Sequence, residues 1–192
     1  MLVDDRGWLY LGPILAIQLC FFAAAFRART IRFQQLVLCG SGFYWSLLVY
    51  YVQYFPAGTK TLFCDVTASS CSYCLHHRIS FLPEFFGLAS GRGNPMNRSI
   101  GDTSIAYYTA HLLYPLLQKL PFVGFYVTHL GCLLSCATGI GSFALLFRTY
   151  QDVKDPCLIN FIMYIINWGL ARAMCLHFYT LYYDKRLVKK RE

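Results

Sequence analysis

The sequence predicts an all-α integral membrane protein with five spanning helices, and three observations carry that prediction. Of its 192 residues, 57% are hydrophobic and only 14% charged, where a soluble domain carries about 25% charged residues. Apolar runs of roughly 20 residues, the length a bilayer core requires, recur five times. Basic residues gather on one side of those runs, as they do on the cytoplasmic side of membrane proteins. The net charge of +8 then needs no nucleic acid to explain it.

The first run, 8–26, could be a cleaved leader, because Ala23, Ala24 and Ala25 resemble a processing region. Its leading residues Asp4, Asp5 and Arg6 are not the basic stretch a leader needs, and Arg27, Arg29 and Arg32 follow the run instead. A retained helix with its N-terminus outside is therefore expected, with 1–33 forming an N-terminal helix and its basic linker. The second run, 35–55, leads into a polar loop, 56–103. The third, 104–119, is short and is expected to extend through Leu120 and tilt. Pro121 leaves almost no loop before the fourth, 121–147, so these two form an antiparallel hairpin. The fifth, 157–182, precedes a basic tail, 185–192.

Orientation follows from charge. Nine basic and two acidic residues fall with the 27–32 linker, Lys119 and the tail together with Asp184 just before it, whereas the N-terminus, the 56–103 loop and the 148–156 loop hold seven of each. The first side is predicted to be cytoplasmic, and Arg172, inside the last helix, to snorkel towards it. The long loop then faces the lumen. Lys189 and Lys190 stand fourth and third from the C-terminus, which matches the dilysine address of endoplasmic reticulum membrane proteins, a receptor-read signal. The plainer alternative is a positive-inside anchor.

Nine cysteines divide by position. Cys20, Cys39, Cys132, Cys136 and Cys175 lie within apolar runs, where a thiol is usually a small core hydrophobe, and no chemistry is assigned to them. Cys64, Cys71, Cys74 and Cys157 fall on the predicted lumenal side, where disulfides form and exchange. Cys71-Ser-Tyr-Cys74 followed by His76 and His77 raises zinc, but adjacent histidines in so tight a span make a tetrahedral site awkward. No metal is expected. Asn97-Arg98-Ser99 is a glycosylation sequon; it lies a few residues before a membrane run, so Asn97 is expected to stay unmodified.

The last run opens with Cys157, Asn160, Tyr164 and Asn167, spaced three, four and three apart. At 3.6 residues per turn they share one helix face. Polar groups inside a membrane are costly unless they face protein or a cavity, so such a stripe reads as a functional site. The alternative is hydrogen bonding between helices as packing.

From about Phe43 to Arg186 the chain resembles the vitamin K epoxide reductase family. The resemblance lies in the order of Cys64-Asp65-Val66, Cys71-Ser72, the loop ending Asn97-Arg98-Ser99, the helical hairpin, and Asp155-Pro156-Cys157 before Tyr164 and Asn167. It implies a four-helix transmembrane bundle over 34–184 around a quinone pocket, capped by the lumenal cysteine-bearing loop. The 1–33 helix is then an extra one.

The resemblance further implies a relay. Cys64 and Cys71 receive electrons from a lumenal thioredoxin-like thiol oxidoreductase, Cys71 exchanges with Cys157, and vitamin K epoxide or quinone is reduced. Cys157, Cys71 and Cys64 are the expected catalytic residues, and Asn160, Tyr164 and Asn97 the expected quinone-binding ones. The quinone is a substrate, with no tightly bound cofactor. This chain departs from the family pattern at Asn160, where the family carries its second active-site cysteine. It departs also at Ile100, in place of a quinone-bonding loop Asn, and at Ile79, in place of a cap aromatic. Cys74 is an additional loop thiol.

Overall fold

The computed structural model describes residues 5–54, 100–153 and 158–184. Residues 56–99 of the expected 56–103 loop, the 154–157 segment with Cys157, and the 185–192 tail with Lys189 and Lys190 fall outside the described residues, whereas residues 100–103 belong to a helix and not to the loop. Those described are all helical apart from turns: α1 (Asp5–Arg27), α2 (Ile31–Tyr54), α3 (Ile100–Leu117), α4 (Val123–Val153) and α5 (Leu158–Tyr179), the last running into a wider π-helical turn, Thr180–Asp184. Each of the five apolar runs is a helix. Some helices overrun the apolar limits: α2 starts at Ile31 because Thr30 caps it, its Oγ1 accepting from Phe33 N at 3.2 Å. The third does not extend through Leu120 as expected; α3 ends at Leu117, where the turn before Pro121 begins.

α2, α3, α4 and α5 form a closed cycle of neighbours, and α1 lies against α2. Paired residues give the directions. His111 meets Ser135 and Tyr114 meets Thr128, so α3 and α4 run antiparallel. Along α4 and α5, Phe125 meets Tyr182, His129 meets Phe178, Trp168 reaches Gly139 and Asn167 reaches Ser142, so these two are antiparallel as well.

The α3–α4 hairpin expected at Pro121 is present as a turn over 118–122. Leu120 N–H donates to Leu117 O, Val123 N–H to Pro121 O and Gly124 N–H to Leu120 O. Phe122 holds a left-handed φ of 64°. A Cβ at Gly124 would stand 2.3 Å from Gln118 O, so this position admits only glycine.

Small residues let the helices approach. Gly131, Ser135, Gly139 and Ser142 form a buried stripe on α4, the kind of surface that packs transmembrane helices closely. Between α2 and α3 the fit is tighter: a Cβ on Gly42 would lie 2.2 Å from the Tyr108 ring. Trp45, Tyr108, Ile166, Leu170 and Met174 fill the centre. Outside, Phe26, Phe122, Tyr126, Leu133, Ile140 and Phe143 are exposed, an apolar surface that soluble monomers seldom present. The stretches Val123–Ala144 and Phe161–Tyr183 are long and apolar enough to cross a membrane, which is compatible with a helical membrane protein.

The prediction for the apolar-run cysteines needs a correction. Cys39 is fully buried, as expected, but Cys20 and Cys175 are exposed and Cys132 and Cys136 only partly covered. Apolar sequence context places a thiol in a helix without saying which face of the helix it occupies.

Candidate functional site

α5 carries the polar stripe, and the structure gives its inner half. Asn160 falls in the first turn of α5, with its side chain outside the described set. Tyr164 and Asn167 follow on the same face, each only 8% exposed. Their shared burial agrees with the spacing argument: residues three or four apart line one side of a helix. Cys64, Cys71, Asn97 and Cys157 lie outside the described residues, so of the six expected site residues Tyr164 alone has a described side chain.

Asn167 joins three helices. Its Oδ1 accepts from Tyr108 Oη of α3 at 2.5 Å, and its Nδ2 donates to Ser142 Oγ of α4 at 2.7 Å. An amide is suited to this because it offers an acceptor and a donor on one rigid group. In an apolar interior each such partnership matters, since an unpaired polar group there costs several kcal/mol at the upper end.

A second layer lies deeper along α3. His111 Nδ1 is 3.0 Å from the Tyr107 carbonyl oxygen and Nε2 is 2.7 Å from Ser135 Oγ. A carbonyl only accepts, so Nδ1 carries the proton towards Tyr107; the Ser135 hydroxyl, which also lies 2.8 Å from the Gly131 carbonyl oxygen, has one proton to share between that carbonyl and Nε2. The Tyr107 ring packs on the imidazole with centroids 4.4 Å apart. Its own hydroxyl is buried close to Ser135 and Thr138 without a hydrogen bond of good geometry.

Two further polar contacts bound this interior. On the α1 side, Gln18 Oε1 accepts from Ser41 Oγ at 2.7 Å and from Trp45 Nε1. At the end of the bundle carrying the α3–α4 turn, the Gln118 amide lies 3.1 Å from His177 Nε2. An open cleft of about 280 Å³ lined by Gln118, Leu120, Gly124, Phe125, Thr128, Leu181 and Tyr182 lies at that same end, away from Tyr164.

Sequence reading missed the α3 partners. Tyr107 and Tyr108, His111, Tyr114 and Gln118 follow one another at intervals of three and four, the same periodicity that singled out α5. Applied to α3, that signal would have found them. Chemically, the interior supplies hydroxyl, amide and imidazole groups between α3, α4 and α5. The chain matches no protein-family model and no curated protein, so the functional reading rests on the residues themselves.

Proposed function

We propose that the chain is a membrane thiol-to-quinone oxidoreductase resembling vitamin K epoxide reductase, reducing vitamin K epoxide or quinone with electrons from lumenal thiols. The observation that carries this is the burial of Tyr164 and Asn167 on one face of α5, in register with the sequence spacing of Cys157, Asn160, Tyr164 and Asn167. The ring of α2, α3, α4 and α5 with α1 outside it supports a four-helix bundle with one additional helix. In this reading the loop and helix mouth face the lumen of the endoplasmic reticulum, with Lys189 and Lys190 on the cytoplasmic tail.

The electron balance defines the roles. Reducing a quinone to its hydroquinone takes two electrons and two protons, and two thiols supply them by closing a disulfide. With Asn160 in the second position, Cys157 has no partner within its own turn, so the disulfide closes between Cys157 and Cys71 of the loop. A thioredoxin-like oxidoreductase then returns the electrons through Cys64 by thiol–disulfide exchange. For the epoxide the same two electrons and two protons yield the quinone and water. Tyr164, with Asn160 or Asn97, donates hydrogen bonds to the oxygen on which charge develops, stabilising it in a water-poor site.

The test is turnover of vitamin K quinone and its epoxide in membranes carrying the chain, with a small dithiol as reductant. Activity is expected, and Cys157→Ala should reduce it to background. A folded chain with no activity, or a Cys157→Ala variant as active as the natural one, would sink the proposal.

A second reading is favoured by a specific observation. Asn167 already spends both ends of its amide on Tyr108 and Ser142, which is the packing role such a stripe can have. Together with Asn160 this suits a family-like protein that binds a quinone or a redox partner without turnover, or a structural membrane protein with a static Cys64–Cys71 disulfide. Asn160→Cys separates the readings. Higher turnover identifies the missing thiol as limiting, and an inert variant leaves binding or structure.

A further inference from the structure

Three cysteines to which the sequence gave no role meet on one outer face of the α4–α5 pair. Cys132 and Cys136 are one turn apart on α4, and Cys175 projects from α5. Cys175 Sγ lies 3.9 Å from Cys132 Sγ and 3.3 Å from Cys136 Sγ, and all three sulfurs lie within 4.8 Å of one another. All three are free thiols. They come from two antiparallel helices and converge without any of them filling the core.

The geometry points to a site for a soft monovalent metal ion, Cu(I) in type, held by Cys132, Cys136 and Cys175. Thiolate ligands bind such ions at about 2.3 Å, the length of a zinc–sulfur bond. An ion at the centre of a sulfur triangle therefore sets its edges at about 4 Å, from the same bond length. The Cys132–Cys175 contact at 3.9 Å matches that edge, and the Cys136–Cys175 contact at 3.3 Å is shorter, so an ion would move those two sulfurs slightly apart. A packing accident would bring two thiols together; here a third completes the triangle.

Ligand chemistry narrows the ion. Sulfur donors select Cu(I), zinc and iron–sulfur clusters over magnesium, calcium or manganese. Structural zinc takes four ligands, and among the described residues this cluster has three sulfurs and no further His, Cys, Asp or Glu ligand atom within it. Three-coordination is a stable arrangement for Cu(I). Binding deprotonates sulfur, releasing one proton for each thiolate formed, and the cation's charge offsets one of the thiolates. Arg172 stands three residues before Cys175 and is likewise exposed, so a guanidinium shares that helix face with the remaining negative charge.

The site does not depend on the quinone reading, because none of its ligands belongs to the α5 stripe. Its test is anaerobic titration of the full purified chain in micelles with Cu(I) against a chromophoric Cu(I) chelator. Cys175→Ser removes the sulfur shared by both contacts, and because that side chain is exposed the substitution does not disturb the core. Cys20→Ser, also exposed but on α1, is the control.

The natural chain and Cys20→Ser are expected to bind the same number of Cu(I) ions. Cys175→Ser is expected to bind one fewer, or to hold that ion at least 10-fold more weakly. Near-ultraviolet circular dichroism reports whether each variant retains native packing. Equal uptake by Cys175→Ser and the natural chain would overturn the inference. So would displacement of the ion by equimolar Zn(II), or a Cys136–Cys175 disulfide in chain isolated under thiol-blocking conditions.

Discussion

Asn167 and Cys175 stand eight residues apart on the same helix and meet opposite fates. Asn167 faces inward, is buried, and has both ends of its amide engaged by α3 and α4. Cys175 faces outward, is exposed, and its sulfur lies against the thiols of Cys132 and Cys136. The inner group is explained by packing alone, because a polar side chain in an apolar interior must be bonded. The outer cluster lies at the edge of the packing, with Cys132 and Cys136 half-buried and Cys175 exposed. Polar groups at the centre of a helical bundle therefore say less about function than their rarity suggests, and convergent soft ligands at its surface say more.

Substitutions can break or sharpen that contrast. The largest stability effect is expected at the inner face, for Gly42→Ala. The new methyl would lie 2.2–2.6 Å from ring carbons of Tyr108, and that ring cannot retreat without losing the bond its hydroxyl makes to Asn167. Overpacking of this kind costs about 2–3 kcal/mol, read as a lower unfolding midpoint in micelles. A variant as stable as the natural chain would show that α2 and α3 are not tightly locked.

Asn167→Leu should cost less, about 1–2 kcal/mol, because it strands the Tyr108 and Ser142 hydroxyls while adding apolar contact. If it stabilised the chain instead, the packing account of Asn167 would fail and the site account would gain. Cys175→Ala, on the outer face, should leave the unfolding midpoint within about 0.5 kcal/mol of the natural chain. A large loss there would mean that the thiol is structural. A change in the opposite direction is expected for Gly141→Ala, where a Cβ meets nothing within 4 Å. The exposed helix gains propensity, and a change of at most about 1 kcal/mol in the stabilising direction is expected.

Much of the fold was legible because long apolar runs write helices into local composition. The runs 8–26, 35–55, 104–119, 121–147 and 157–182 each became a helix, and Pro121 marked the α3–α4 turn. The limits were less legible: α3 starts at Ile100 and α4 continues to Val153, because a helix continues through polar residues once it leaves the apolar layer. The candidate site was legible in part. Period and polarity placed Tyr164 and Asn167 on one buried face, yet the partners Tyr108 and Ser142 are 59 and 25 residues away from Asn167, beyond any local pattern.

The sequence by itself determined that this is a helical, membrane-suited chain, where its helices lie, and which face of α5 is polar. These follow from the length of apolar runs and from 3.6-residue periodicity, which are properties of a segment taken alone. Only the tertiary structure decided that α2 packs on α1, α3 and α5, that Asn167 is bonded rather than free, and that Cys132, Cys136 and Cys175 converge. Each of those depends on which helices become neighbours. That choice is made by close approach at residues such as Gly42, Gly131 and Gly139, and it brings together side chains that no local reading could pair.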